Sequence, residues 1–170
     1  MTQLLVMRHA KSDWSTGLAD HDRPLSTRGR RNAPEMACWL AESGYCPDRI
    51  LTSSARRTQE TVAAVIDECD VAQDCVVVDS DLYLASGGTW IDAIHEFATG
   101  VTPERLLICG HNPGLDALVD HLSDGRAQAN NDAKLMTTAA IAVFDVVDWD
   151  SLTPDSCEFV ELMRPRELDG

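Results

Sequence analysis

The sequence predicts an α/β protein, a three-layer α/β/α sandwich in which helices cover both faces of a mostly parallel central sheet. Two observations carry this prediction. Short apolar runs typical of buried strands alternate with longer segments that repeat apolar residues at helical spacing, and turn residues separate the two. The chain has 170 residues, 44% of them hydrophobic, and no long linker. We therefore expect one domain that spans residues 1–170.

The apolar runs are too short for helices, so we predict them to be strands. These predicted strands cover residues 4–7, 49–53, 76–78, 106–109, 140–146 and 158–163. Helices are predicted over residues 26–43, 55–69 and 89–97, with a fourth after Gly114. Pro34 conflicts with the first of them, because proline inside a helix costs about 3 kcal/mol. We expect it to kink this helix or to mark its true start, and Gly44 to end it.

Charge and hydropathy exclude several function classes. The net charge of −14 repels nucleic acid and anionic membranes, so neither is expected as the main partner. No apolar run approaches the roughly 18 residues of a membrane helix, and the first residues lack the features of a signal peptide. These patterns predict a cytoplasmic protein.

The six cysteines do not form a recognisable metal or redox motif. They are scattered over predicted helices, strands and loops without any C-x-x-C pair. An even number of cysteines is weak evidence for disulfides in a chain without a secretion signal. We predict ordinary buried or half-buried thiols.

Basic residues are concentrated in the first third of this acidic chain. Nine of the 14 Lys and Arg residues fall at or before Arg57. A locally positive site inside an acidic surface suits an anionic ligand, although solvated helix faces explain many of these residues individually.

Polar segments that contain arginine or histidine directly follow three predicted strands. They are Arg8-His9-Ala10, residues 53–57 and Gly110-His111-Asn112. Ligand sites in parallel α/β sheets form beyond the carboxyl ends of the strands. We therefore expect these segments to meet in one site.

Four segments resemble the histidine phosphatase superfamily and, within it, the small SixA-type phosphohistidine phosphatases. They are residues 7–12 (MRHAKS), 22–29 (DRPLSTRG), 53–61 (SSARRTQET) and 110–114 (GHNPG), in the order that the family has them. Together they extend over about two thirds of the chain, and only their combination is specific. The resemblance implies the phosphoglycerate mutase-like form of the α/β/α fold.

The resemblance also implies roles for four residues. His9 is the nucleophile, Arg8 and Arg56 bind the phosphoryl oxygens, and His111 completes the pocket. The chemistry agrees, because neighbouring guanidinium groups keep an imidazole neutral and nucleophilic, and their planar forks match two phosphate oxygens. No metal and no cofactor are expected, and the sequence offers no convincing cluster of metal ligands.

Two further residues are candidates with open alternatives. Arg23 matches a family position and is a third candidate for phosphate binding, but a structural ion pair with Asp20 or Asp22 explains it equally well. Asp20 is a candidate general acid, and a surface loop aspartate is at least as good an interpretation. We expect no catalytic role for the remaining histidines, of which His21 is the strongest exception.

The expected function is hydrolysis of phosphohistidine on a phosphorylated partner protein. Members of the superfamily that act on sugar phosphates usually carry an acidic residue on an insert after the third strand, and residues 79–88 show no confident equivalent. Imidazole leaves with less acid assistance than an alkoxide does. A small-molecule phosphomonoesterase and a phosphoryl-binding module without turnover are the alternatives, and the sequence makes no prediction of oligomeric state.

Overall fold

Residues 2–168 are described by the computed structural model, and the secondary structure in this range alternates between strands and helices. The strands are β1 (Thr2–Arg8), β2 (Arg49–Ser53), β3 (Val76–Asp79), β4 (Arg105–Gly110), β5 (Ile141–Val146) and β6 (Cys157–Met163). The helices are α1 (Thr27–Glu42), α2 (Arg56–Cys69), α3 (Gly87–Val101) and α4 (Gly114–Ser123). All six predicted strands and four predicted helices are therefore found, with ends that shift by a few residues.

The strands form one sheet in the order β3-β2-β4-β1-β5-β6. β1, β2, β3 and β4 pair in parallel, whereas β5 is antiparallel to both β1 and β6. This arrangement confirms the predicted α/β class with a mostly parallel sheet. It also brings the carboxyl ends of β1, β2 and β4 to the same edge.

Helices cover both faces of the sheet, as predicted. On one face, the buried side chains of α1 and α2 pack against Leu5 and Met7 of β1. On the other face, α3 and α4 pack against Leu4 and Val6. Alternate residues of β1 thus enter opposite halves of the core, which is the geometry of a strand buried on both sides.

Pro34 neither begins nor ends α1, which corrects one of the two alternatives expected for it. The helix starts after Ser26, whose hydroxyl accepts a hydrogen bond from the Gly29 amide, and continues past Pro34 to Glu42. Pro34 is exposed, so water can hydrate the Arg30 carbonyl that proline leaves without a helical partner. Gly44 follows the helix with a φ of 75°, as expected for a C-terminal glycine.

The prediction that all cysteines are ordinary thiols was wrong for two of them. Cys46, in the loop before β2, forms a disulfide with Cys69 at the end of α2. The fold brings together two residues that lie 23 positions apart, a proximity that composition and spacing did not reveal. Cys38, Cys75, Cys109 and Cys157 are free.

The loop after β1 is held against the start of α1. Ser26 donates its amide hydrogen to the Lys11 carbonyl at 2.8 Å, and Ser12 forms an isolated β-bridge with Leu25. Gly29 approaches the Lys11 backbone so closely that a Cβ atom would overlap it. These contacts give the segment that follows His9 a defined path. Within residues 2–168, no helix is both long and apolar enough to cross a membrane.

Candidate active site

The ends of two neighbouring strands bring His9 and His111 together. Arg8 is the last residue of β1 and pairs in register with Gly110, the last residue of β4. The His9 amide donates to the Gly110 carbonyl at 3.1 Å, and the two imidazole centroids lie 5.2 Å apart. The expected convergence of these two strand ends is confirmed.

The ring of His9 is held in one tautomer. Its Nδ1 lies 2.7 Å from the Ala10 carbonyl, which can only accept a hydrogen bond, so Nδ1 carries the proton and Nε2 carries the lone pair. Burial lowers the pKa of His9 to about 3; the hydrogen bond to the Ala10 carbonyl opposes this shift, and His111, Arg57 and Arg8 add to it. His9 is therefore a neutral imidazole at physiological pH, as a nucleophile must be.

Arg57 is the arginine that contacts both histidines. Its Nε donates to Nε2 of His9 at 3.3 Å, and an Nη donates to Nδ1 of His111 at 3.2 Å. Its side chain is only 4% exposed. Sequence analysis had not selected this residue.

Arg56, which we expected in the site, lies outside it. Its side chain is 55% exposed, and its Nε donates to the Glu60 carboxylate at 2.7 Å. Consecutive helical residues point about 100° apart, so only one of two adjacent arginines in α2 can face the sheet. The sequence contained a signal that separates the two arginines, because residues four positions apart share a face of the helix. Arg57 lies four residues before the buried Thr61, whereas Arg56 lies four residues before the charged Glu60.

His111 is oriented by two partners. Arg57 donates to its Nδ1, so Nε2 carries the proton and donates to the Ser53 hydroxyl at 2.7 Å. Burial and the Arg57 charge lower the pKa of His111 to about 4, so its ring is neutral as well. Ser53 ends β2 and is fully buried. It was missed as an individual candidate, although it lies in one of the motif segments.

Arg8 lines the same small cavity as both histidines. This cavity, the catalytic cup, measures about 220 Å³, and its polar lining includes Arg8, His9, Arg23, Arg57, His111 and Asp20. One Nη of Arg8 donates to the Met136 carbonyl at 2.9 Å, whereas its buried Nε has no acceptor among the described residues. Burial lowers the pKa of Arg8, but a guanidinium remains charged near neutrality. Arg8 thus places a positive charge at the wall of the cup that His9 also lines.

The structure places Arg23 both in an ion pair and at the cup, and phosphate binding by this residue stays a prediction. It forms an ion pair with Asp20, and it also lines the catalytic cup. Its guanidinium stacks on the exposed ring of Trp14, 3.7 Å from the centroid. The buried Nε of Arg23 has no hydrogen-bond acceptor within residues 2–168. Arg8 and Arg23 therefore both bring positive charge to the wall of the cup, which suits an anion.

Asp20 lies at the edge of the cup, where its carboxylate accepts hydrogen bonds from Arg23, Arg57 and the Tyr83 hydroxyl. Partial burial alone raises the pKa of this carboxyl, but the hydrogen bonds from Tyr83 and Arg57 outweigh burial and lower it below its ordinary value. An ionised carboxylate cannot donate a proton. These contacts favour a role in orienting Arg23 and Arg57 over the general-acid role expected as one alternative.

The other histidines lie outside the catalytic cup. His21 contacts the Ser54 hydroxyl at 2.9 Å and stacks edge-on against Tyr83. His95 approaches the Trp149 carbonyl, and His121 is exposed near the end of α4. Across residues 2–168, no group of three or more His, Cys, Asp or Glu side chains is arranged to hold a metal ion. The cup is instead built around guanidinium groups.

Sequence comparison identifies one family and several relatives. The sequence model described as histidine phosphatase superfamily (branch 1) matches residues 4–90. An uncharacterized protein of Mycobacterium tuberculosis strain H37Rv is 34% identical over 165 residues, which cover 94% of this chain and all of that relative.

Solved structures show the same architecture. A protein from Agrobacterium tumefaciens, assigned to the SixA phosphohistidine phosphatases, superposes with a TM-score of 0.79 at 26% identity and covers 96% of this chain and 98% of its own. The protein histidine phosphatase SixA in complex with tungstate superposes with a TM-score of 0.79 at 24% identity, over 98% of this chain and 99% of its own.

Proposed function

Because this chain belongs to the histidine phosphatase superfamily, we propose that it hydrolyses phosphohistidine on a protein through a covalent intermediate on His9. The observation that supports the proposal most is the orientation of the His9 ring. Its Nδ1 is hydrogen-bonded to the Ala10 carbonyl, and its Nε2 lies beside Arg57 inside the cup. The similarity to SixA proteins favours phosphohistidine as the substrate class.

In the first step, Nε2 of His9 attacks the phosphorus atom. A new N–P bond forms as the P–N bond to the substrate imidazole breaks, and the electron pair of that bond goes to the leaving nitrogen. The leaving group departs as neutral imidazole because the other ring nitrogen of the phosphohistidine takes up its proton from solvent before the bond breaks. In the second step, water attacks the phosphorus atom, His9 leaves with the electron pair of its N–P bond, and inorganic phosphate is released.

Three guanidinium groups stabilise the charge of the transferring group. Arg57 lies beside Nε2 of His9, where the phosphorus atom arrives, and Arg8 and Arg23 add positive charge at the cup wall. Phosphoryl transfer depends mainly on such positioned charge, because negative charge is spread over the three equatorial oxygens. The reaction then requires no metal ion.

The leaving group decides between the two enzyme alternatives. Asp20, the acidic side chain of the cup, is bound by two guanidinium groups and is ionised near neutrality. An alkoxide leaves slowly without a proton donor, whereas imidazole leaves as a neutral molecule. This difference favours phosphohistidine over sugar or glycerate phosphates.

The proposal is tested by measuring phosphate release from a phosphohistidine peptide and from a panel of sugar phosphates. Wild type is compared with His9→Ala, and a single-turnover sample quenched in alkali is searched by mass spectrometry for a phosphoryl group on His9. We expect turnover of the peptide, a phosphorylated His9, and no detectable turnover by His9→Ala. Faster turnover of a sugar phosphate would identify a phosphomonoesterase. Phosphate binding without turnover of any substrate would identify a binding module.

A further inference from the structure

A second, larger cavity adjoins the catalytic cup. It measures about 860 Å³ and lies between the first half of α1, the segment 130–138 before β5, and the turn Pro165–Glu167. Arg8, Lys11 and Thr138 line both cavities, so the two lie side by side. We call this second cavity the basic groove.

The charge of the basic groove is opposite to that of the chain as a whole. Seven of the 14 Lys and Arg residues line it, together with three acidic residues, whereas the whole chain carries a net charge of −14. Positive charge is thus gathered around one cavity beside the catalytic cup. Such a local field attracts anionic groups even when the rest of the surface repels them.

The acidic side chains of the groove do not neutralise the positive charge next to the catalytic cup. Each of them pairs with an arginine of the groove itself, at 2.9 to 3.9 Å. These pairs are Arg31–Glu35, Arg164–Glu167 and Arg166–Asp132. All three carboxylates are therefore already engaged, and they leave the other cations of the groove without a partner.

The remaining cations are Arg8, Lys11, Arg28 and Lys134. Within residues 2–168, no carboxylate lies within 4 Å of their charged groups. Arg28 and Lys134 are exposed, and Arg8 and Lys11 form the boundary with the catalytic cup. The groove therefore holds four cations without a carboxylate partner, two of which also line the cup that contains His9.

The size of the groove and the exposed apolar side chains at the cup both suit a macromolecular substrate. A cup of about 220 Å³ holds little more than a phosphoryl group and its acceptor, whereas the groove has room for several amino-acid side chains. Trp14 and Leu84 also line the cup and are 71% and 54% exposed. Exposed apolar side chains at the cup and cations without a carboxylate partner in the groove match the surface of a protein that carries both kinds of group.

We propose that the basic groove binds an acidic segment of the phosphorylated partner protein, next to the residue that carries the phosphoryl group. This proposal rests on the proposed function, because the partner must first present its phosphoryl group to His9. Aspartate and glutamate side chains of the partner would pair with Lys11, Arg28 and Lys134. The groove thereby selects among phosphohistidine proteins, while the cup performs the chemistry.

The test compares two phosphohistidine peptides that differ only in flanking Glu or Gln residues, with free phosphoramidate as a small probe. We expect a KM about 3- to 10-fold lower for the acidic peptide at low salt, a difference that shrinks as added salt screens the charges. The variant R28Q/K134Q should lose this preference and still hydrolyse phosphoramidate at the wild-type rate. The control R30Q/R126Q removes two exposed arginines outside the groove and should keep the preference.

Binding of the unphosphorylated peptides, followed by fluorescence anisotropy, tests the groove independently of turnover. Tighter binding of the acidic peptide to wild type than to R28Q/K134Q supports the groove proposal. If no substrate is hydrolysed at the same time, the proposed function fails and the groove proposal stands. Equal binding and equal KM for the two peptides overturn the groove proposal and leave the phosphatase proposal intact. A small bisphosphate that competes as well as the acidic peptide also overturns it.

Discussion

Nε of Arg57 lies 3.3 Å from Nε2 of His9, so a buried guanidinium faces the atom that attacks phosphorus. The same guanidinium reaches His111 and Asp20. One arginine at the start of α2 therefore connects three of the segments that line the catalytic cup.

Replacing Arg57 should be far more damaging than replacing its neighbour Arg56. Arg57→Gln removes a buried charge beside the phosphorus atom, and we expect kcat to fall about 100- to 1,000-fold, as for loss of one oxyanion donor. Arg56→Gln removes an exposed ion pair with Glu60 and should change kcat less than about twofold. Steady-state kinetics of the two variants, with melting temperatures as a check on folding, measure this difference. Equal losses would contradict the placement of Arg57.

The two neutral histidines should make stability depend on pH. The pKa values of His9 and His111 in the folded protein are about 3 and about 4, below the ordinary value of 6.5. At a pH between the folded and the ordinary value, each histidine is therefore protonated in the unfolded chain and neutral in the folded one. The free energy of unfolding should therefore fall as the pH drops from about 6.5 towards 3, by up to about 1.4 kcal/mol per pH unit for each histidine.

Urea unfolding at several pH values measures this dependence, and His9→Asn and His111→Asn supply the controls. Each variant should show a shallower loss of stability than wild type in this window, because it lacks one of the titrating groups. An NMR titration in which the His9 ring protonates near pH 6.5 would refute the assignment.

Asp20→Asn should strengthen phosphate binding without abolishing turnover. The Asp20 carboxylate forms ion pairs with Arg23 and Arg57 and partly neutralises their charge. A neutral amide at this position would no longer compete with a phosphate dianion for the two guanidinium groups. We expect inorganic phosphate to inhibit about tenfold more strongly and phosphohistidine turnover to stay within about tenfold of wild type. A 100-fold loss of turnover that is restored by Asp20→Glu would instead assign proton donation to Asp20.

Ser53 should act through His111. The hydrogen bond of 2.7 Å between the Ser53 hydroxyl and Nε2 of His111 fixes the ring, and such a bond contributes about 0.5–1.5 kcal/mol. Ser53→Ala should therefore lower kcat/KM about 3- to 10-fold and change the NMR shifts of the His111 ring. Ser54→Ala is the matched control, because Ser54 contacts His21 outside the cup. Equal kinetic effects of both substitutions would argue against a positioning role.

The disulfide should stabilise the fold without contributing to catalysis. Cys46 and Cys69 close a loop of moderate length, and such a cross-link typically contributes about 2–4 kcal/mol. Reduction, or the double variant C46S/C69S, should lower the free energy of unfolding by that amount and leave kcat unchanged under native conditions. Thiol labelling of the denatured protein should detect four free cysteines before reduction and six afterwards. Six accessible thiols in the untreated, denatured protein would show that the bond is absent.

The local pattern of residues in the sequence was sufficient to predict much of the fold and part of the candidate site. Apolar runs, helical spacing and turn residues predicted each strand and helix, because burial of one face leaves a periodic signal in the sequence itself. Arg8, His9 and His111 were predicted to meet because each is at or just after the end of a strand, and the carboxyl ends of parallel strands share one edge.

The choice between Arg56 and Arg57 required the orientation of α2 around its axis. Helical spacing within α2 contained that information, but motif similarity alone pointed to the wrong residue. The disulfide, the pairing of Asp20 with two arginines and the contact of Ser53 with His111 depend on distances between segments far apart in the chain.

The sequence by itself thus determined the class of fold, the order of its elements and the edge of the sheet at which the cup forms, since these follow from local burial patterns and strand ends. Tertiary structure alone decided which charges face one another. Burial and opposing charge act through space, and they set the neutral state of His9, the ionised state of Asp20 and the unpaired cations of the basic groove.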